Sequence, residues 1–225
     1  MTDFQEYLAP RLFVDSDDAD VRAFTRQNIE ACNDDVSRAV KLYYAVRDEI
    51  LYDPYYMSED PRSFRASDCL RAGRGFCVPK AALLAAVARA AGIPARVGYA
   101  DVRNHLSTKK LHDLMGTDLF SWHGFTELYL EGRWVKATPA FNLSLCERFG
   151  VHPLEFDGRH DSLLHEYDRN GRRHMEYVAQ HDSFADVPFD TIIAVYKKLY
   201  PRWFELRGSV DGDFAKEAAA ERDPK

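Results

Sequence analysis

From Asp34 to Ile50 the apolar residues Val36, Val40, Tyr43, Val46 and Ile50 recur at helical spacing, which predicts a helix with one apolar face. Asp34 and Asp35 offer caps before it, and Pro54 disfavours helix at Asp53. Asp15-Ser-Asp-Asp offers caps for an earlier helix over about 17–33, preceded by an extended lead-in over 1–14. Residues 53–66, rich in Tyr, Pro, Ser and charge, read as a loop, and a short helix is predicted from Ser67 or Asp68 to Arg71. The pattern then changes. Residues 81–90 are apolar nearly all round and dominated by Ala and Leu, which predicts a central, buried helix beginning at Cys77. Pro79 suits its first turn, and Gly92 and Pro94 end it.

Beyond that helix the apolar period shortens. Ala95-Arg-Val-Gly-Tyr-Ala-Asp-Val reads as a strand, and residues 103–121 as a polar loop. Phe125-Thr-Glu-Leu-Tyr-Leu and Arg133-Trp-Val-Lys-Ala-Thr flank Glu131-Gly132, which predicts a hairpin. A short helix over 141–150, a strand over 174–179 after the Asn170-Gly171 turn, and a last helix from about Phe189 to Trp203 follow. Helices first, then hairpin-linked strands, predict an α+β fold: a central helix bearing Cys77 packed on an antiparallel sheet. One domain is expected over 1–225, with core motifs at 65–142, a helical N-terminal part at 15–52, a strand and helix extension at 150–207, and a tail at 208–225 that frays or forms a peripheral helix.

Composition narrows the function classes. Of 225 residues 46% are hydrophobic and 13% aromatic, enough to fill a core. The formal charge of −6 argues against a general nucleic-acid binder. No apolar run approaches the roughly 20 residues a membrane helix needs. The opening Met1-Thr-Asp-Phe-Gln-Glu has no basic and apolar leader pattern, so a cytoplasmic location is expected, with neither membrane nor nucleic acid as partner. Four scattered cysteines without a Cys-x-x-Cys exclude a disulfide framework and a zinc ribbon.

Cys77 stands apart from the other three. It follows Gly73-Arg-Gly-Phe and opens the buried helix, where unpaired N–H groups and a partial positive charge favour thiolate and can hold an oxyanion. The expectation is a depressed thiol pKa, with the Cys77 N–H forming half of an oxyanion hole. A thiol nucleophile needs a base, and His123, at the entrance to the first hairpin strand, is the candidate.

Three stretches carry a resemblance. Ser67-Asp-Cys-Leu-Arg-Ala-Gly-Arg-Gly-Phe-Cys, Ala-Ala-Gly-Ile-Pro-Ala-Arg-Val-Gly-Tyr and Trp-His-Gly-Phe-Thr-Glu-Leu-Tyr-Leu-Glu-Gly-Arg-Trp-Val-Lys-Ala-Thr-Pro resemble the transglutaminase-like superfamily, whose bacterial members include proteins described as cysteine proteases. The resemblance covers about residues 65–142 and implies a papain-like core with Cys77 as nucleophile and His123 as base. Where the family usually has Asp, on the strand after the histidine, this chain has Thr138. A hydroxyl can set the imidazole tautomer but brings no negative charge. Thr138 is thus the first choice for the group that orients His123, with Asn142 and Asp101 as alternatives. The implied activity is thiol acyl transfer, foremost hydrolysis of a peptide or side-chain amide through a thioester. A peptide, protein or small amide would be the substrate, and no cofactor or metal is needed. The alternatives are acyl transfer to an amine acceptor and a non-catalytic peptide-binding module, which the Thr138 departure favours.

Other signals are weaker. His160, His165, His174 and His181 match no metal-ligand spacing, and surface or cleft-lining roles are expected for them. His105 and His112 are expected in solvent or in a flap, and Tyr52, Tyr55 and Tyr56 in packing rather than in a substrate groove.

Overall fold

The computed structural model describes residues 4–105, 107–206 and 212–222. The first helices are α1 (Gln5–Leu8), α2 (Ala19–Ile29) and α3 (Asp35–Glu49). The lead-in is therefore not wholly extended, since α1 interrupts it. Asp18 caps α2, accepting from the N–H groups of Asp20 and Val21. Asp15 does not cap that helix; its carboxylate instead accepts from the Ser67 N–H. Asp34 and Ser37 form a reciprocal capping box at the start of α3, which fixes that boundary.

Strand β1 (Leu51–Tyr52) follows, then single 3₁₀ turns at Pro54–Tyr56 and Pro61–Phe64, where a plain loop is predicted. In both, an Asp before a Pro accepts from the backbone two residues on, and the local turn is fixed by that bond. Helix α4 (Ala66–Ala72) ends at Gly73, whose φ of 63° is the left-handed cap that glycine tolerates. Strand β2 (Arg74–Gly75) pairs parallel with β1 and leads directly into α5 (Cys77–Ala90).

Helix α5 is the axis of the molecule. Every residue from Cys77 to Arg89 is buried, as its all-round apolar sequence predicts. Its few polar groups are used internally. Lys80 donates to the carbonyls of Arg47 and Ile50 and so caps the end of α3, at a position where burial pulls its pKa down to about 7. Arg89, at the other end, donates to Ala9, Ala95 and Ala185 carbonyls and ties three distant segments together.

The sheet consists of β3 (Ala95–Asn104), β4 (Leu119–Leu130), β5 (Arg133–Ala137) and β6 (Met175–Phe184), in the order β5-β4-β3-β6, all antiparallel. The β4–β5 hairpin turns at Glu131 and Gly132, with φ of 49° and 86°, the primed geometry that matches strand twist. Helix α5 packs on one face, where the Thr126 hydroxyl donates to the Ala81 carbonyl. On the other face Ala100, Val102 and Phe125 form a small second cluster with Leu163 and Leu164.

The predicted polar loop at 103–121 is corrected in two ways: β3 and β4 extend into it, and it holds α6 (Lys109–Met115). Leu111, Leu114 and Met115 fall on one helical face between a Thr108 cap and Gly116, a short signal masked by the surrounding polar residues. Helix α7 (Leu143–Phe149) matches the expected short helix. The last predicted helix is split at Pro201 into α8 (Phe189–Leu199) and α9 (Pro201–Glu205). In the tail, α10 (Phe214–Arg222) buries Phe214 and Ala218, while 208–211 and 223–225 lie outside the described residues. Among the described residues no helix is long and apolar enough to cross a membrane.

Candidate active site

Cys77 is the first residue of α5. Phe76 precedes it in extended conformation and offers no side-chain cap, and Pro79 lacks an N–H, so the free donors at this terminus belong to Cys77 and Val78. Gly75 is required by packing: a Cβ there would lie 2.7 Å from the Cys69 sulfur and 3.1 Å from the Pro79 ring. The helix mouth meets β4 at Gly124, where a Cβ would come within 3.0 Å of the Val78 Cα and 3.3 Å of the Cys77 carbonyl oxygen. That contact of backbone on backbone sets the thiol beside the strand that carries His123.

His123 and Cys77 line one cavity. Both side chains are buried, with 5% and 6% of their surface exposed. Burial pushes the Cys77 thiol up to about 11, against the backbone N–H groups of Gly124, Val78 and Cys77 itself, which hold it lower than burial alone would. The expected depression of this pKa is therefore overturned, because removal from water outweighs the helix terminus. Burial also pulls His123 down to about 4, with the nearby His165 adding to the effect. Both shifts run the same way: burial favours the neutral thiol and the neutral imidazole over an ion pair.

The third position departs from the sequence reading. Thr138 lies one residue beyond β5, and its N–H donates to the Ser162 carbonyl while its own carbonyl accepts from the Tyr43 hydroxyl. Its side-chain oxygen is buried and has no hydrogen-bond partner among the described residues, so it does not hold the His123 ring. Asn142 is committed elsewhere. It accepts from the Tyr52 N–H at 3.0 Å and donates to Ser144 at 2.8 Å.

Asp101 acts on the chain just before His123. Between Ala100 and Val102 the β3–β4 register shifts, so that Asp101 faces two residues of β4, Ser121 and Trp122. One Asp101 oxygen accepts from the Ser121 hydroxyl at 2.7 Å, the Trp122 N–H at 2.9 Å and His181 Nε2 at 2.8 Å. These bonds outweigh burial and hold the carboxyl below its usual range. Trp122 has a φ of 54°, a strained left-handed value for so large a residue, and its ring stacks on His181 at 4.6 Å. The Tyr200 hydroxyl accepts from the Ser121 N–H at 2.7 Å and donates to the Leu119 carbonyl at 3.0 Å, so the residue that joins α8 to α9 braces the same bulge. The bulge sets the direction in which the next two residues, His123 and Gly124, present their ring and N–H.

Sequence reasoning offers Asp101 only as an alternative partner for the His123 ring, and misses both its hold on the bulge and the part of His181, since the register shift that joins them has no local signal. It also misses the cavity walls contributed by Leu111 and Met115 of α6, Tyr196 of α8, Tyr200 just beyond it, and Trp203 of α9. Tyr52 lines the cavity, where packing alone is predicted, whereas Tyr55 packs against Trp203. Of the other histidines, His160 pairs with Asp157 on the surface, His165 bonds the His152 carbonyl through Nδ1, and His174 is fully buried. His105 lies near Glu176. All four cysteines are free thiols, and Cys69 makes no bridge to Cys77.

A helix-borne thiol set against a strand-borne imidazole, on an antiparallel sheet, defines a cysteine-and-histidine site on an α+β scaffold. The family model of the transglutaminase-like superfamily matches residues 22–139, which is 118 of the 225 residues, and the chain belongs to that superfamily. Among curated proteins none matches the sequence. Of the solved structures, one titled "Putative Cysteine Protease" from Cytophaga hutchinsonii superposes with a TM-score of 0.52 at 17% identity, covering 84% of this chain and 50% of that one. Another, titled "Putative Protease" from Parabacteroides distasonis, gives a TM-score of 0.38 at 16% identity over 56% of this chain and 24% of that one. This chain therefore spans half the length of the first and about a quarter of the second.

Proposed function

We propose that the protein is a cysteine-dependent acyl-transfer enzyme that hydrolyses an amide through a Cys77 thioester. The observation that carries this reading is the shared cavity: the helix-terminal thiol and the His123 imidazole line it together, and the Gly124 N–H is directed at the sulfur. Because both groups start neutral, His123 takes the thiol proton as sulfur attacks the carbonyl carbon. Negative charge developing on the carbonyl oxygen is met by the N–H donors of Cys77 and Val78. The C–N bond then breaks, the amine leaves with the proton from His123, and the acyl group stays on sulfur. Water, deprotonated by His123, attacks the thioester, releases the carboxylic acid and returns the thiol.

In this reading Cys77 is the nucleophile and His123 the base and acid. Thr138 occupies the third position without supplying charge, and the direction of His123 comes from the bulge that Asp101 holds. Amine acceptors in place of water would use the same residues.

The non-catalytic binding module is the second reading, favoured by the missing third carboxylate and by the burial of the thiol. Release of amine from an amide panel separates the two. Cys77→Ala and His123→Ala should each abolish it, with an acyl adduct mapping to Cys77 in the wild type. Turnover that survives Cys77→Ala, or no adduct with any amide, overturns the catalytic reading.

A further inference from the structure

Among the described residues, thirteen line the cavity that holds Cys77 and His123, and none of these is Asp, Glu, Lys or Arg. In a chain that is 29% charged, this is the chemical character of the site. Its walls come from separate parts of the chain: Met57 after the first 3₁₀ turn, Phe76 before the thiol, Met115 from α6, Tyr196 from α8 and Trp203 from α9. The slot is narrow, about 50 Å³. A charged group moved from water into such a slot would lose its hydration with no opposite charge to meet it, and isolated buried charge is among the costliest arrangements in a protein. A neutral apolar group would exchange water for carbon and sulfur contacts instead. The position of the slot matters as much as its lining, since whatever fills it lies against the attacking sulfur.

We propose that this enzyme takes a neutral, apolar acyl group, aliphatic or aromatic, and rejects acyl groups in which the residue bearing the scissile carbonyl has a carboxylate or an ammonium on its side chain. The proposal rests on the reading of Cys77 as nucleophile and adds the substrate class. The upward shift of the thiol and the downward shift of the imidazole report the same dry environment.

The test uses N-acetyl chloromethyl ketones of leucine, phenylalanine, aspartate and lysine on the wild-type protein. The sulfur displaces chloride, the thiol proton leaves to His123, and a thioether remains that peptide mapping locates. Leucine and phenylalanine reagents should alkylate Cys77 at least tenfold faster than the aspartate and lysine reagents. Equal rates at Cys77 would overturn the substrate class and leave the nucleophile standing. Adducts at Cys32 in place of Cys77, or none at all, would overturn the reading of the nucleophile itself. Met115→Lys places a cation in the wall and should shift the aspartate-to-leucine ratio at least tenfold towards aspartate. An unchanged ratio would also overturn the proposal, and the wild-type series decides if that variant does not fold.

Discussion

The two halves of the site are built differently. The cysteine half is local: Gly73 ends α4, Gly75 admits the Cys69 sulfur, and Cys77 opens α5, all within nine residues. The histidine half is assembled from four elements, with Asp101 of β3, Ser121 and Trp122 of β4, His181 of β6 and Tyr200 at the end of α8 meeting around one bulge. A nucleophile at a helix mouth needs little more than correct local sequence. An imidazole presented into the same cavity from beside a strained strand residue needs the tertiary structure to be complete.

The largest test of this contrast is acid. Three buried histidines lie on the histidine side, and all are depressed, chiefly by burial: His123 and His165 to about 4 and His174 to about 3. In the unfolded chain they would take up protons below about pH 6.5. In the folded chain they stay neutral until about pH 4, so stability is fully present above pH 6.5 and is lost as pH falls towards 4. Near pH 5 the slope should be about 3–4 kcal/mol per pH unit, from nearly three protons taken up on unfolding. Denaturant midpoints measured from pH 7 to about 5 check this, above the ordinary carboxylate values of about 3.9 and 4.3. His174→Phe should remove about a third of the slope.

Next in size is Asp101→Ala. The Trp122 N–H would lose its acceptor and the left-handed turn its anchor, so His123 and Gly124 would both drift. Turnover, and alkylation of Cys77, should fall on the order of 100-fold, the cost of a misplacement near 1 Å. Alkylation of Cys69 and Cys146 should not change. Asp101→Asn keeps an acceptor for Trp122 and should recover most of the loss. If Asp101→Ala alkylates at the wild-type rate, the histidine half is as local as the cysteine half.

Much of this was legible beforehand, for reasons that follow the same division. The α5 boundaries, the Glu131-Gly132 hairpin and the Gly73 cap rest on short-range rules that glycine, proline and apolar period obey almost anywhere. The α+β class follows from them, whereas the pairing of Cys77 with His123 is what the resemblance to the transglutaminase-like superfamily implies. Helix α6 escaped because its apolar face is three residues in a charged stretch. The raised thiol pKa escaped because a helix terminus is visible in sequence whereas the aromatic cover over it, from residues 52 to 203, is not. Asp101 was one candidate among three, and only the register shift distinguishes its role.

Gly124→Ala probes the seam where the halves touch. The added methyl would meet backbone atoms of Val78 at 3.0 and 3.3 Å, and neither side can yield by moving a side chain. Overpacking of this kind should cost about 1–3 kcal/mol and lower the melting temperature. It should also slow Cys77 alkylation by parting the thiol from the strand. A melting point equal to wild type would mean that α5 and β4 slide easily, and that the seam does not fix the site.

The smallest expected effect is the most pointed. Thr138→Val keeps shape and exchanges a buried hydroxyl that has no hydrogen-bond partner among the described residues for a methyl. Since no bond is lost, stability should change by less than about 0.5 kcal/mol or improve slightly. Turnover should fall less than about threefold if the Asp101 bulge alone directs His123. A tenfold fall in turnover, with the melting point unchanged and the pH–rate profile displaced, would show that the hydroxyl turns to the imidazole during catalysis. The histidine half would then have two supports, one through the backbone from β3 and one through a side chain beyond β5. Combining Thr138→Val with Asp101→Asn in a double-mutant cycle would measure their coupling.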